Sequence, residues 1–306
     1  MLIFTGCVLT ALSALWLLRL AMGPAMARFP QYGWWGLAAM AGLEAALALR
    51  VPGVTCFFTA WIWTAYIVAV DAAVYRRRGD SMLHHPAAFT AMAALSVPAW
   101  VIFEVYNLRL RNWAYVGLPG HFWVVAAGAT WAFATIFPGI FETADLIACG
   151  ATGRRRCRGW TPPRLAAPAL LGLALLAVPV ALPARAGAYL FALVWAGFIL
   201  LDPLHRRWGW PSLLADLEAG WAGRALALLA AGAVCGFLWE FWNYWARSRW
   251  QYVFPILLRF RIFAMPVPGF IGFPPFALEC FTLYVLLSQT LLPPHLRLPL
   301  LEPPPS

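Results

Sequence analysis

The sequence predicts an all-α, polytopic membrane protein of about nine transmembrane helices, built from a tandem internal repeat. Three observations predict it. The chain is 63% hydrophobic and only 11% charged, with a mean hydropathy of +0.73. Its apolar runs recur at lengths able to cross a hydrocarbon core about 30 Å thick. A set of polar residues also recurs at a nearly constant offset of about 130 to 137 positions, the signature of a duplicated unit.

The apolar runs place helices near 2–22, 33–50, 54–75, 86–108, 120–148, 164–183, 187–204, 221–246 and 269–292. An extra helix within 1–30 is expected to precede a first repeat over 31–150. A basic loop over 151–163 leads to a second repeat over 164–292, and a Pro-rich tail fills 293–306. The first run has no basic leader and no small-residue cleavage site, so it reads as a retained helix rather than a signal peptide. Pro138 and Gly139 are expected to break the fifth run, and Pro266, Pro268, Gly269, Pro274 and Pro275 to disturb the start of the ninth. Irregular backbone at membrane depth needs protein or a polar cavity to satisfy it.

All 22 basic residues are arginine, which reads as the trace of a GC-rich genome rather than as arginine-specific chemistry. The net charge of +10 sits largely in short loops, where the positive-inside rule accounts for it better than nucleic-acid binding does. The loops holding Arg76 to Arg78, Arg154 to Arg158 with Arg164, and Arg206 with Arg207 fall on one side in a nine-helix count. That side is expected to be the cytoplasmic face of a bacterial inner membrane, with the N-terminus outside and the C-terminus inside. Arg109, Arg111, Arg247, Arg249, Arg259 and Arg261 fall on the other side and blunt the rule.

Six scattered cysteines with no CxxC or CxxCH spacing indicate neither a zinc site, a c-type haem nor a disulfide framework. His84, His85, His121 and His205 have no ligand spacing, so no metal is expected. Asp202 with His205 could form a proton relay, although the position matching His205 is Tyr75. There is no Gly-rich nucleotide loop and no GxSxG elbow, and no cofactor is expected.

The repeat pairs Trp63 with Trp195, Asp71 with Asp202, Arg76 and Arg77 with Arg206 and Arg207, and Ser81 with Ser212. It continues with Glu104, Asn107 and Arg111 against Glu240, Asn243 and Arg247, then Trp113 and Tyr115 against Trp250 and Tyr252, and Glu142 against Glu279. Four spans per half would make the repeats parallel and three would make them inverted; the helix count favours parallel. The duplicated polar groups are expected to converge on a shared central cavity.

Ionisable residues inside a membrane are costly and by default mark function. A glutamate at i and an asparagine at i+3 share a helix face, and an arginine at i+7 continues it. Each triad therefore reads as one stripe. Glu104 and Glu240 either form ion pairs with Arg247 and Arg111 across the pseudo-twofold, or are held by Asn107, Asn243, Arg111 and Arg247 to orient substrate or balance cationic charge. Glu142 and Glu279 have no arginine within a turn. Burial favours the neutral, proton-donating form of a carboxyl, so these two are the favoured acids; the plainer alternative is a glutamic acid bonded to a neighbouring helix. Trp113, Tyr115, Trp250 and Tyr252 read either as an interfacial aromatic belt or as a pocket stabilising a developing cation through their ring faces.

Trp250 and Tyr252, the stretch RFRIF, and the Pro-rich turn leading to Glu279 resemble, in their order, the integral-membrane lycopene-cyclase domain of carotenoid biosynthesis. The family's Pro, apolar, Glu, Glu signature is replaced here by FPPFALEC with Glu279 and by FPGIFETAD with Glu142. The resemblance implies tandem helical domains and an acid-initiated cyclisation of a polyene end group, with carboxylates as proton donors and no redox change. The expected function is thus a membrane enzyme acting on an isoprenoid or other lipid. The alternative is a pseudo-symmetric transporter or lipid-handling protein using the same paired carboxylates.

Overall fold

Hydropathy alone divides the chain almost where the helices fall. In the computed structural model, which describes residues 2–150, 155–159, 164–253, 256–257 and 259–300, the protein is predominantly helical. Arg154 of the expected basic loop and positions 301–306 of the expected tail lie outside the described residues. The first half runs α1 (Ile3–Ala21), α2 (Gln31–Ala48), a short α3 (Pro52–Cys56), α4 (Phe58–Arg78) and α5 (Pro86–Leu110), then strand β1 (Trp113–Val116), α6 (Phe122–Ala134) and α7 (Ile136–Ala148). The second half runs α8 (Ala166–Ala181), α9 (Ala184–Tyr189), α10 (Phe198–Trp208), α11 (Leu213–Glu218) and α12 (Gly223–Trp245). It closes with β2 (Arg249–Tyr252), β3 (Arg261–Ile262), β4 (Met265–Pro266) and α13 (Phe273–Leu291). Among the described residues, six helical segments are long and apolar enough to cross a membrane: Ile3–Ala21, Phe58–Arg78, Pro86–Leu110, Phe122–Ala148, Gly223–Trp245 and Val267–Leu291.

Two boundaries differ from expectation, for physical reasons. The fifth run breaks at Thr135 rather than at Pro138 and Gly139. Pro138 lies in the first turn of α7, where a missing N–H forfeits no intrahelical bond, and Gly139 N already donates to Thr135 O at 2.9 Å. The run expected over 187–204 is three pieces, α9, a 3₁₀ turn over Phe191–Ala196, and α10. The crowded prolines before α13 act as expected: a 3₁₀ turn spans Val267–Gly272, and Pro274 and Pro275 open the helix where proline is tolerated.

Helices α4, α7, α12 and α13 form the centre, and α7 is buried at every residue from Ile136 to Ile147. The outer helices α1, α2 and α8 expose Phe4, Leu15, Trp34, Trp35 and Leu170, apolar surface suited to lipid rather than water. Close approach there depends on glycine. A Cβ at Gly36 of α2 would stand 2.9 Å from Ala69 N of α4, and one at Gly172 of α8 would stand 2.3 Å from Leu200 N of α10. Small residues at such contacts let helix backbones approach where lipid offers no hydrophobic drive between helices.

The two halves also make the same polar bonds. Asp71 accepts from Ser81 Oγ at 2.9 Å and Leu83 N at 2.9 Å; Asp202 accepts from Ser212 Oγ at 3.2 Å, Leu213 N at 2.7 Å and Leu214 N at 2.8 Å. Both aspartates precede a basic last turn and a left-handed glycine cap, Gly79 (φ 79°) and Gly209 (φ 73°), which release the chain into the next loop. Tyr106 of α5 donates to Leu176 O of α8 at 3.2 Å, while Trp242 of α12 donates to Glu44 of α2 at 2.7 Å. Arg76 and Arg77 are not free loop charges: they donate to the carbonyls of Ala21, Gly23, Leu20 and Cys149, capping the ends of α1 and α7.

Candidate functional site

The polar stripes end sooner than helical spacing requires. Helix α5 stops at Leu110, with Arg111 in the left-handed region at φ 49°, and α12 stops at Trp245. The Trp, any residue, Tyr segments that follow are therefore not helix. They are β1 and β2, paired antiparallel with Trp113 opposite Tyr252, Ala114 opposite Gln251 and Tyr115 opposite Trp250.

The asparagines build this ladder. Asn107 Oδ1 accepts from Asn112 N at 2.8 Å and Trp113 N at 3.1 Å, and its Nδ2 donates to Trp113 O at 2.9 Å. Asn243 treats Trp250 in the same way, accepting from its N and donating to its O, both at 3.0 Å. Each side chain acts as a short strand neighbour for backbone that the helix has just released. Asn107 and Asn243 thus hold structure at the cavity wall.

The glutamates hold the rings. Glu104 Oε1 accepts from Trp100 Nε1 at 2.9 Å, Trp113 Nε1 at 3.3 Å and Tyr115 OH at 2.5 Å. Glu240 Oε1 accepts from Trp250 Nε1 at 3.3 Å and Tyr252 OH at 2.7 Å, while its Oε2 has no hydrogen-bond partner among the described residues. Burial first, and then the neighbouring glutamate, push the Tyr115 and Tyr252 phenols above their ordinary value, so both remain neutral donors. The expected ion pairs of Glu104 and Glu240 with Arg247 and Arg111 do not form among the described residues. Both arginines lie past the helix ends and are exposed. The indole and phenol groups take the place that helical spacing assigned to guanidinium.

These rings line a cavity of about 340 Å³. Its wall includes Trp100, Trp113, Tyr115, Trp195, Trp239, Trp250, Tyr252, Phe133, Phe273 and Phe276, with Thr59, Thr135, Asn112, Ser248 and Arg249 as polar points. Trp195 packs on Phe276 at 4.9 Å and on Phe103 at 4.7 Å between ring centroids, joining the two halves across the cavity floor. An apolar cleft with few polar groups is the usual form of a small-ligand site. Glu104 and Glu240 stand one layer behind the wall.

Glu142 and Glu279 lie elsewhere. Neither lines the cavity. Glu279 Oε2 accepts from Phe198 N at 2.6 Å, at the start of α10, where Gly197 leaves room: a Cβ there would stand 2.2 Å from Glu279 Oε1. Glu142 is fully buried in α7, and neither of its carboxyl oxygens has a hydrogen-bond partner among the described residues. The relay considered between Asp202 and His205 is not formed: both His205 ring nitrogens lack partners among the described residues, and the ring packs on Trp208 and Trp210. The wall also takes Trp100, Trp195 and Trp239, which the repeated polar pattern does not mark as wall residues. The position of Trp100 one turn before Glu104 was the available signal, since i and i+4 share a helix face. No group of histidine, cysteine and carboxylate side chains among the described residues could hold a metal ion. No protein-family model, curated protein or solved structure matches the chain significantly.

Proposed function

We propose that the chain is an integral-membrane enzyme that binds an isoprenoid or similarly apolar lipid in the aromatic cavity and acts on it by acid-initiated chemistry. The observation that carries this reading is the pairing of an apolar, ring-lined wall with two glutamates hydrogen-bonded directly behind it, Glu240 fully buried and Glu104 half-buried. A polar solute passing between the halves would need a wetter lining, so the cavity favours the enzyme over the transporter. Tyr115 and Tyr252 offer the wall-side hydroxyls, and Glu240 Oε2 is the oxygen placed to carry a proton. The wall-side hydroxyl of Tyr252 gives its proton to a carbon–carbon double bond as Glu240 replaces it, the cation closes onto a second double bond, and an adjacent C–H proton lost to the same hydroxyl returns the carboxyl to its acid form. The tryptophan and tyrosine faces stabilise the intermediate charge. Atoms balance and nothing is oxidised.

The reading extends to the architecture. Matched bonds at Asp71 and Asp202, at Asn107 and Asn243, and at Glu104 and Glu240 support a tandem duplication. α5 and α12 both end at the β1–β2 ladder, which supports parallel halves about an axis along the membrane normal. With α2, α8 and the broken α9–α10 segment added to the six long spans, the chain crosses a bacterial inner membrane nine times, its N-terminus outside and its arginine-rich loops in the cytoplasm.

The test is expression in a lycopene-accumulating bacterial host with pigment analysis, comparing the intact protein with Glu240→Gln, Glu104→Gln, Glu142→Gln and Glu279→Gln. Conversion by the intact protein and its loss in Glu240→Gln is the expected result. Unchanged lycopene beside well-expressed protein removes the carotenoid-cyclase form of the reading.

A further inference from the structure

The aromatic cavity has a neighbour on the exposed side of α6. At about 340 Å³ the cavity is near the lower end of the roughly 300 to 1,000 Å³ of small-ligand sites, room for the end group of a long isoprenoid rather than its whole chain. A second hollow of about 400 Å³ is lined by Phe57, Trp123, Val124, Ala127, Gly128 and Trp131. α6 has no buried residue, and Trp123 is 80% exposed. Phe57 and Gly128 also line the aromatic cavity, so the two spaces share one partition.

That partition is a single ring. Phe57 sits between α3 and α4 at φ −117° and ψ 24°, outside helical values, and its ring lies on the backbone of α6: a Cβ at Gly128 would stand 2.3 Å from Phe57 Cε1. One turn further on, the seam between α4 and α6 is closed more firmly. Trp61 packs edge-on against Trp131 with ring centroids 4.4 Å apart, and Trp131 Nε1 donates to Thr64 Oγ1 at 3.0 Å. Phe57, Trp61 and Thr64 follow at i, i+4 and i+7, and Gly128 and Trp131 at i and i+3, so the contacts form one line along the facing helices. Phe57 ends the line, with no polar group to anchor its ring. The backbone beside it is fixed: Arg247 N donates to Thr55 O at 3.0 Å, and Cys56 Sγ lies 3.3 Å from Ser248 Oγ, tying the corner to the segment that leads into β2. Opening therefore falls to the Phe57 side chain, which can change rotamer without breaking a hydrogen bond.

We infer that the hollow on α6 and the aromatic cavity are the two ends of one lateral lipid site, with the Phe57 ring as its gate. The occupant is a single long apolar chain, its reacting end among the cavity rings and its tail in the hollow against the bilayer. The wall of the hollow is apolar apart from indole N–H groups, and that of Trp131 is already bonded to Thr64, so the tail stays out of water along its length. The inference rests on the cavity being the lipid site proposed above and adds the route by which lipid reaches it.

Photolabelling of the full chain in lipid nanodiscs with a diazirine-bearing farnesol tests the route. Flash photolysis at intervals after mixing, followed by peptide mass spectrometry, reads label at Trp123 and Val124 in the hollow and at Trp100 and Phe276 in the cavity. In the wild type, label is expected in the hollow first and in the cavity later. Phe57→Ala is expected to speed cavity labelling roughly tenfold, the change produced by taking about 1.4 kcal/mol off the entry barrier, with labelling of the hollow unchanged. Ala127→Trp fills the hollow from an exposed position, so it keeps the fold, and it is expected to slow cavity labelling by a similar factor. Wild-type cavity rates in both variants overturn the route while leaving the cavity as the lipid site. Absence of cavity label in all three proteins overturns the route together with the reading it rests on.

Discussion

Ala114 stands directly opposite Gln251 in the antiparallel ladder that joins the ends of α5 and α12. One residue comes from the segment that follows α5 and the other from the segment that follows α12, so the ladder ties the ends of the two helices together. Trp113 then faces Tyr252 and Tyr115 faces Trp250, and each aromatic pair combines one ring from each half. The two glutamates that hold these rings, Glu104 and Glu240, differ in their partners. Trp100 is a third ring donor to Glu104, beside Trp113 and Tyr115, whereas the ring donors to Glu240 are Trp250 and Tyr252.

Glu240→Gln is therefore expected to reduce turnover of an apolar polyene by roughly 10²- to 10⁴-fold, the range for loss of a positioned acid. Glu104→Gln is expected to reduce it less, because its carboxylate already serves three ring donors. Pigment conversion per unit of membrane-inserted protein is the measurement. Equal losses in the two variants would remove the distinction between the halves.

Replacing Asn243 with alanine leaves the N–H and C=O of Trp250 without the partners it supplied. Two lost bonds and a vacated, fully buried site lower stability by roughly 2 to 4 kcal/mol. Asn107→Ala is expected to cost less, because Asn107 is only half-buried. Thermal unfolding of the detergent-solubilised variants gives the comparison.

Hydropathy made the helices legible because lipid-facing and core-facing surfaces are both apolar, and length alone then separates spans from loops. The carboxylates Glu104 and Glu240 were legible too, as repeated charges in apolar runs. Their partners were not, because the i, i+3, i+7 stripe assumes that the helix continues to Arg111 and Arg247. The signal against that assumption was present: Trp113 with Tyr115, and Trp250 with Tyr252, alternate with period two, the spacing of a strand. The roles of Glu142 and Glu279 were hidden for another reason. Sequence spacing shows which arginines are near, but not that Phe198 N would reach Glu279 or that both oxygens of Glu142 would be buried without a partner among the described residues.

Gly197 gives a test of the Glu279 environment. Its φ of −62° suits any residue, so the requirement is space alone. Gly197→Ala would drive a methyl into the Glu279 carboxyl and break the 2.6 Å bond from Phe198 N. The expected cost is about 1 to 3 kcal/mol, from overpacking and a buried acceptor left unpaired. If Gly197→Ala unfolds at the wild-type temperature, Glu279 is not held as described.

Asp216 of α11 supplies a pH dependence outside the spanning segments. Burial raises its carboxyl from 3.8 to about 7, while Arg224, 3.3 Å away, pulls the other way without overcoming burial. A carboxyl with a raised folded-state value binds its proton more tightly in the folded protein than in the unfolded chain. Between about pH 4 and pH 7 the folded state therefore carries the extra proton, and stability falls as pH rises through that window. Asp216→Asn removes the titration and is expected to flatten this part of the stability profile. Thermal unfolding of the two proteins from pH 4 to pH 8 measures it, and parallel profiles would show that Asp216 is ionised throughout, held by Arg224.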